Sequence, residues 1–434
     1  MGAQGSGPDV ASVPGARRRP DLPQGPYLVV GLARSGRAIA QALRAHGEVI
    51  GCDRGQPEPA DGLEGVELHV GTDGVDLLER VQTVVKSPGV PREAPVVAAA
   101  LDRGLEVTGE LELAWRLLAN PFIAVTGTNG KTTTVELLGE MYRVAARPVV
   151  VAGNVGTPLA SQVGRIGPET VVVCEASSFQ LEDSSCFAPE CAVLLNIEDD
   201  HLDRHGDAAA YRQAKMRIFA NQGEGDHSID PAVIAAETSI AGGILAVGGT
   251  PLLPVSEIRL RGAHNLENAR AAALAARVMA LPVEAISQAL RTFKGVPHRL
   301  EEVATVDGVL FVNDSKATNV ASAVKGIEAF DGGVHVILGG SLKGGGFRGR
   351  RGAVTARCSA AYLIGEAQAQ LASDLEDTVP LRHCAGLAEA VTAAAEAARP
   401  AESVLLSPAC ASFDAFRDYE DRGDRFRELV KGLG

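Results

Sequence analysis

The 434-residue chain is 46% hydrophobic and 22% charged, a globular profile with enough length for two or three separate cores. Its formal net charge of −13, with no long basic stretch, argues against a nucleic-acid partner, and seven scattered cysteines without a C-x-x-C pair argue against a disulfide framework or a zinc site. No apolar run approaches the ~20 residues that a membrane span needs, so no membrane partner is expected, and the odd, dispersed cysteines suit reduced thiols in a cytoplasmic chain.

In chain order, "MGAQGSGPDVASVPGARRRPDLPQG" (1–25) is rich in Gly, Pro and Arg and reads as a disordered leader. From Tyr27, "YLVVGLARSGRAIAQALRAHG" predicts a strand, a tight turn and a helix, and "EVIGCD" and "VQTVVKSPGVP" predict two more strands. "GLARSG" approximates the dinucleotide fingerprint G-x-G-x-x-G with Ala33 at the second glycine, and Asp53 ends the next strand. Such a turn either cradles a pyrophosphate or simply packs a helix tightly against a strand.

The second block opens with "FIAVTGTNGKTTTVELL". An apolar strand runs into a small polar loop, and Val135, Leu138 and Tyr142 follow at helical spacing. The loop therefore empties onto a helix N-terminus, where free N–H groups and the dipole favour phosphate. Val125 stands where the general phosphate-loop pattern has its first glycine, but Gly127, Gly130, Lys131 and Thr132 keep its chemistry. The glycines allow close backbone approach, Lys131 can bridge β- and γ-phosphate oxygens, and Thr132 can ligate Mg²⁺. "TVVVCE" places Glu175 at a strand end, where a metal-binding carboxylate could face that loop. "CAVLLNIEDDHLDRHGDAAAYRQAKMRIF" runs from a strand into Asp199, Asp200, His201, Asp203 and His205, then into a helix carrying Lys215. The stretch "NQGEGDHSIDPAVIAAETS" shows no strand pattern.

A third block holds strands in "GVLFVND", "VHVILGG", "AAYLIGE" and "SVLLSPA". The polar loops "NDSKATN", "GGSLKGGGF" and "SPACASFDAF" suit a small anionic ligand, whereas Cys410 lacks any sequence sign of a nucleophile's partner. Strands alternating with helices imply parallel sheets with ligands at their carboxyl ends. The expected fold is α/β in three domains: a Rossmann-like N-terminal domain (26–118), a central P-loop ATPase-like parallel-sheet domain (119–297) and a Rossmann-like C-terminal domain (298–434).

Taken together, "GTNGKTT", "EASSFQL", "NIEDDHLDRHG" with a following lysine, "GAHNLENA", "HRLE", "NDSKATN" and "SPACASFDAF" resemble, in kind and order, the Mur ligases. Within that family the last two motifs and the "GLARSG" start resemble the members that add D-glutamate to UDP-N-acetylmuramoyl-L-alanine. The resemblance spans roughly residues 27–432. It implies that ATP phosphorylates the L-alanyl carboxylate and that the D-glutamate amine displaces phosphate from the resulting acyl phosphate. It further implies that Gly127, Thr128, Asn129, Gly130, Lys131, Thr132 and Thr133 hold the ATP phosphates, and that Asn268, Arg299 and Asp314 contact the nucleotide. Thr132 and Glu175 would hold one Mg²⁺, with His201 and a carbamylated Lys215 serving a second; Lys131, His201 and Lys215 form the expected catalytic set. Arg34, Ser35, Asp53, Arg54, Ser87 and Asn154 would bind the UDP substrate, and Thr318, Lys343, Ser412 and Phe413 the D-glutamate. The enzyme is expected to be a monomer.

Two departures from the family pattern stand out. The segment between Phe219 and Leu260 is short, which leaves the far edge of the central sheet in doubt, and Ser341 occupies a position where many relatives carry an acid. Three rival readings share some of these residues. A sister or folylpolyglutamate-type ligase would differ in its amino acid, a regulatory P-loop ATPase would not need the third block's polar loops, and an NAD-dependent oxidoreductase would leave the GKT loop unexplained.

Overall fold

The protein is described here from a computed structural model, which covers residues 17–55, 63–198, 207–341 and 346–433. Its contacts divide the chain into two compact units, Met1–Val255 with Asn268–Ala289, and Ser256–Glu267 with Leu290–Gly434.

The first unit contains two parallel sheets. One runs in the order β3-β2-β1-β4-β5, from β1 (Tyr27–Val30), β2 (Val49–Asp53), β3 (Glu67–Val70), β4 (Thr83–Lys86) and β5 (Glu106–Gly109). The other runs β10-β9-β6-β8-β7, from β6 (Phe122–Thr126), β7 (Val149–Gly153), β8 (Val171–Glu175), β9 (Cys191–Leu194) and β10 (His227–Ile229). The central strands are continuous apolar runs because both faces of a parallel sheet are covered. In β1, Leu28 and Val30 enter one core while Val29 enters another. That second core is shared: Tyr27, Val29 and Leu43 from the first sheet's layer join Trp115, Phe122, Val172 and Phe187 around the second. Trp115 and Phe122 both meet Phe187 edge-on, with ring centroids 5.8 and 6.3 Å apart. The order of each sheet reverses beside its first strand, which opens a crevice at the carboxyl ends of β1 and β6.

Two sequence expectations are corrected in this unit. The stretch thought to lack a strand contains β10, which pairs in parallel with β9 and completes the far edge of the sheet. With three residues, of which only Ile229 is buried, β10 offers no periodicity to read. A small antiparallel sheet of β11 (Thr238–Ala241), β12 (Ile244–Val247) and β13 (Thr250–Pro254) follows. Within residues 17–25, assigned to a disordered leader, Arg19 is buried over the Trp115 ring at 4.5 Å, donates to the Asn120 carbonyl at 2.7 Å and pairs with Glu190 at 3.1 Å.

Between the two sheets lies Glu110, fully buried, accepting from the Ala160 N–H at 2.7 Å. Burial raises its pKa from 4.5 to about 7, against the N–H groups of Ala160 and Leu159 and the Gln180 side chain. An acid raised in the folded state contributes its full stability below pH 4.5 and loses it as pH rises through about 7. Urea midpoints measured across that interval should therefore fall with pH in the wild type and fall less steeply in Glu110→Gln; parallel slopes would contradict this.

The second unit is built on the sheet β14-β15-β19-β16-β17-β18, from β14 (Glu301–Val306), β15 (Val309–Asn313), β16 (Val334–Gly339), β17 (Cys358–Ile364), β18 (Leu381–His383) and β19 (Ser403–Leu406). Only β14 is antiparallel. Alternation sends Leu405, Val336 and Leu338 to one core, and Val404, Leu406 and Ile337 to the other, so helices cover both faces.

Candidate active site

Five buried residues of β6 carry the chain to Gly127, and the helix Lys131–Val144 begins straight after Gly130. Gly130 caps that helix in the left-handed region at φ +87°, and a Cβ there would come within 2.2 Å of Asn268 Oδ1. Only glycine satisfies both the backbone and this contact, and Asn268 is thereby placed against the loop. Lys131 Nζ folds back on the Gly127 and Thr128 carbonyls at 2.8 and 3.0 Å.

Beside the loop, Glu175 ends β8 directly across from Val125 of β6. Its two carboxylate oxygens serve different partners: Thr132 Oγ1 donates to one at 2.8 Å and Asn154 Nδ2 to the other at 3.1 Å. On the opposite flank, Lys215 is 2% exposed, donates to the Gly127 carbonyl at 2.8 Å and lies over the Tyr211 ring. Its helix, Ala208–Met216, starts at an Asp207 cap whose side chain accepts from Ala210 N–H. Glu175, Lys215 and Asn268 thus meet the loop and the start of its helix from three chain segments, with Asn154 behind Glu175.

Sequence reasoning passed over the residues that hold this loop in shape. Asn196 Oδ1 accepts from Asn129 N–H at 2.9 Å and its Nδ2 donates to the Asn129 carbonyl at 3.1 Å. Glu198 accepts from Asn129 Nδ2, and Tyr211 meets the Thr128 hydroxyl at 3.1 Å. Asn196 and Glu198 lie inside the "NIEDD" motif, whose acids and histidines drew attention away from them.

Asn154 also borders a pocket of about 380 Å³ at the carboxyl end of the first sheet, lined by Gly31, Arg34, Ser35, Asp53, Ser87, Gly89, Val90 and Gln180 among others. Asp53 accepts from Leu32 N–H at 2.7 Å, and Ser87 Oγ donates to the Gly31 carbonyl at 2.6 Å, so the turn is pinned from both sides. Arg54 is exposed and is not part of this lining. The pocket brings in Gly89, Val90 and Gln180, which the sequence reading did not name.

In the second unit, Asp314 follows β15 and accepts from Ser407 Oγ at 2.7 Å and Leu300 N–H at 3.2 Å. Burial pushes its pKa up to about 7 despite that hydroxyl and the nearby Arg299 charge. Arg299 borders a pocket of about 210 Å³ that also presents Arg259, Arg261 and Lys294. The loops after β15, β16 and β19 adjoin: Ala409 N–H donates to the Ala317 carbonyl, and Ser341 and Ala411 exchange backbone hydrogen bonds. Thr318 is half-buried, Ser412 is buried and Phe413 is 70% exposed on these loops. Ser341 Oγ donates to Glu366 at 2.9 Å, so a carboxylate from another loop stands beside the serine that replaces the expected acid. Arg422, 1% exposed, ties all three loops: it donates to Ser315 Oγ and O, Cys410 O, and more weakly to the Gly339 and Ala411 carbonyls. Burial lowers its pKa to about 10, which leaves the guanidinium charged at neutral pH. Burial pushes the Cys410 thiol up to about 12, which makes it a poor nucleophile. His201 and Lys343 lie outside the described residues.

Three family models match successive segments: "Mur ligase MurD-like, N-terminal domain" over 26–109, "Mur ligase middle domain" over 125–246, and "Mur ligase, glutamate ligase domain" over 298–410. Among curated relatives, the UDP-N-acetylmuramoylalanine–D-glutamate ligase of Pelotomaculum thermopropionicum is 41% identical, the match covering 95% of this chain and 99% of that protein. The ligase of the same name from Acidobacterium capsulatum is 43% identical over 93% of this chain and 95% of its own. Among solved structures, UDP-N-acetylmuramate-alanine ligase MurC from Thermotoga maritima shares the fold at 17% identity with a TM-score of 0.59, covering 94% of this chain and 99% of that one. MurF ligase from the same organism, in complex with ADP, gives 0.58 at 16% identity, with 95% and 97% covered.

Proposed function

The chain belongs to the Mur ligase family, and from that membership we propose how its own residues divide the work of one reaction. It is an ATP-dependent amide ligase that joins D-glutamate to UDP-N-acetylmuramoyl-L-alanine through an acyl phosphate, in peptidoglycan precursor synthesis. The observation that carries this reading is the Glu175 carboxylate shared between Thr132 and Asn154, which links the phosphate loop to the pocket lined by Asp53 and Ser87.

In this reading the pocket at the end of the first sheet takes the UDP moiety, with Arg34, Ser35, Asp53 and Ser87 as its polar lining and Asn154 at the boundary nearest the reacting carboxylate. Gly127 to Thr133 and the following helix N-terminus bind the ATP phosphates, and Lys131 offsets the repulsion between phosphate and carboxylate. Asn268, Arg299 and Asp314 contact the rest of the nucleotide. Thr132 Oγ1 and Glu175 offer hard oxygen donors 2.8 Å apart, a set that suits Mg²⁺. The ion held there would neutralise charge on the phosphates and polarise the transferred group. Lys215 as an ammonium is a poor neighbour for a second cation. Carbamylated, it would present oxygen donors from the same buried position, with His201 as the other residue assigned to that ion, and this is the form we assign to the active enzyme. Thr318, Lys343, Ser412 and Phe413 hold D-glutamate, whose two carboxylates require a cation and hydroxyl donors. We place the domain boundaries near 118 and 297 and take the enzyme to be a cytoplasmic monomer, where ATP and nucleotide-linked sugars are supplied.

A carboxylate oxygen leaves poorly, so the γ-phosphoryl group is transferred to it first. The D-glutamate nitrogen then attacks the acyl carbon and phosphate departs with the C–O bond. Phosphate release from ATP in the presence of UDP-N-acetylmuramoyl-L-alanine and each amino acid in turn tests this. Release is expected with D-glutamate alone; equal release with L-glutamate or meso-diaminopimelate would overturn the assignment.

A further inference from the structure

Lys86 is the last residue of β4, in register with Val30 and Gly109 of its neighbours, and only 1% of its surface is exposed. Its Nζ lies 2.6 Å from Asp183 Oδ2, with both side chains almost wholly buried. The same Nζ donates to the Val90 carbonyl at 2.9 Å. Val90 closes the turn Ser87–Val90 by donating to the Ser87 carbonyl, and both residues line the pocket at the end of the first sheet. Asp183 directly follows the short helix Ser178–Glu182, whose Gln180 lines the pocket from the other side. Asp183 is also seated on β5: a Cβ at Gly109 would come within 3.1 Å of the Asp183 Cβ, so the aspartate packs on bare backbone.

Stability alone does not account for this pair. Burial raises the Asp183 carboxyl above its ordinary pKa even with Lys86 beside it, so the cost of desolvation exceeds what the pairing returns. Two apolar side chains of similar volume would fill the space at least as favourably. What they would not do is hold the Val90 carbonyl and the end of the Gln180 helix at one fixed separation. The neighbouring Arg92–Glu182 pair, at 3.8 Å and more exposed, is too weakly held to take over.

We propose that the Lys86–Asp183 pair is a positioning strut that fixes the two walls of the pocket relative to each other and thereby sets its affinity for UDP-N-acetylmuramoyl-L-alanine. The proposal rests on the reading of that pocket as the UDP site. It separates substrate affinity from the chemistry at Thr132 and Glu175, which Lys86 does not touch among the described contacts.

Steady-state kinetics of Lys86→Met test it, with Asp183→Asn as the second variant. The expected result for Lys86→Met is a rise of about tenfold or more in KM for UDP-N-acetylmuramoyl-L-alanine, with kcat and KM for ATP within about twofold of wild type. Asp183→Asn keeps the bond to Val90 and should show the same split in smaller measure. Equal rises in every constant, or a UDP-substrate KM within about twofold in both variants, overturns the proposal. So does failure of both variants to fold, because the pair would then serve the fold itself. Calorimetric binding of UDP-N-acetylmuramoyl-L-alanine to wild type, blocked by Arg34→Glu, is measured alongside. No binding, or binding indifferent to that substitution, is a failure of the pocket reading instead of the strut.

Discussion

Lys215→Ala should form the amide at least about a thousand-fold more slowly than wild type, and formate or acetate should restore part of the lost rate. The side chain is buried against the Gly127 carbonyl and the Tyr211 ring, in contact with the phosphate loop itself. If its active form is the carbamate, truncation removes a negative group from a site that must gather several phosphate charges and their counter-ions. A small carboxylate diffusing into the space left by the side chain would replace the oxygens without the tether. Rescue by formate but not by methylammonium is the discriminating result, because methylammonium restores the ammonium and not the carbamate. Wild-type activity in the alanine variant would remove Lys215 from the reaction, and rescue by methylammonium would make it a simple cation.

Arg422→Met should destabilise the second unit by about 4 kcal/mol or more and abolish the use of D-glutamate. The guanidinium donates to main-chain carbonyls or hydroxyls on all three loops of that sheet edge. Methionine fills most of the volume but removes the donors to Ser315 Oγ and to the Ser315 and Cys410 carbonyls, at about 1–3 kcal/mol for each one not rescued by water, while the Ala411 carbonyl keeps the Ser341 N–H. Arg422→Lys retains the charge and reaches fewer of the acceptors, since a single ammonium cannot span a planar fork. It should fold, with KM for D-glutamate raised about tenfold or more and KM for the UDP substrate little changed. Denaturant midpoints and the two KM values check both variants. A lysine variant with wild-type KM for D-glutamate would show that the loops do not depend on this arginine for their shape.

How much of the site was legible in the sequence follows from where its chemistry sits. Lys131, Thr132 and Glu175 lie at a helix start or a strand end, where the alternation of apolar runs and polar loops already says that ligands collect; Lys215, in the last turn of its helix, has no such local signal, and the structure draws it to the same loop. Arg422 was not legible. It occupies the first turn of an amphipathic helix, Tyr419–Lys431, in which a basic residue reads as a solvated face, and its partners include a carbonyl 107 positions away. Lys86 and Asp183 were hidden for the same reason: nothing local announces that a lysine closing a strand of the first sheet meets an aspartate after a strand of the second. Arg54 is exposed beside Asp53 and outside the pocket lining. In the fold, the long buried strands were readable from their apolar runs, and the short edge strand β10 was not, because one buried residue makes no pattern. Arg19 was lost in a Gly- and Pro-rich leader whose composition outweighed one well-placed aromatic stack.

The single core shared by the first two sheets sets a limit on how this enzyme can be taken apart. A fragment ending near residue 118 would retain Tyr27, Val29, Leu43 and Trp115 but lose Phe122, Val172 and Phe187, the surfaces against which they close. It would also leave Lys86 and Glu112 without Asp183 and the N–H groups of Ser185 to Phe187. The first sheet is therefore not a portable part. Grafting it onto a different ATP-binding module, in a laboratory chimera or by recombination between relatives, requires exchanging both sheets together, whereas the second unit's sheet is sealed by two cores of its own.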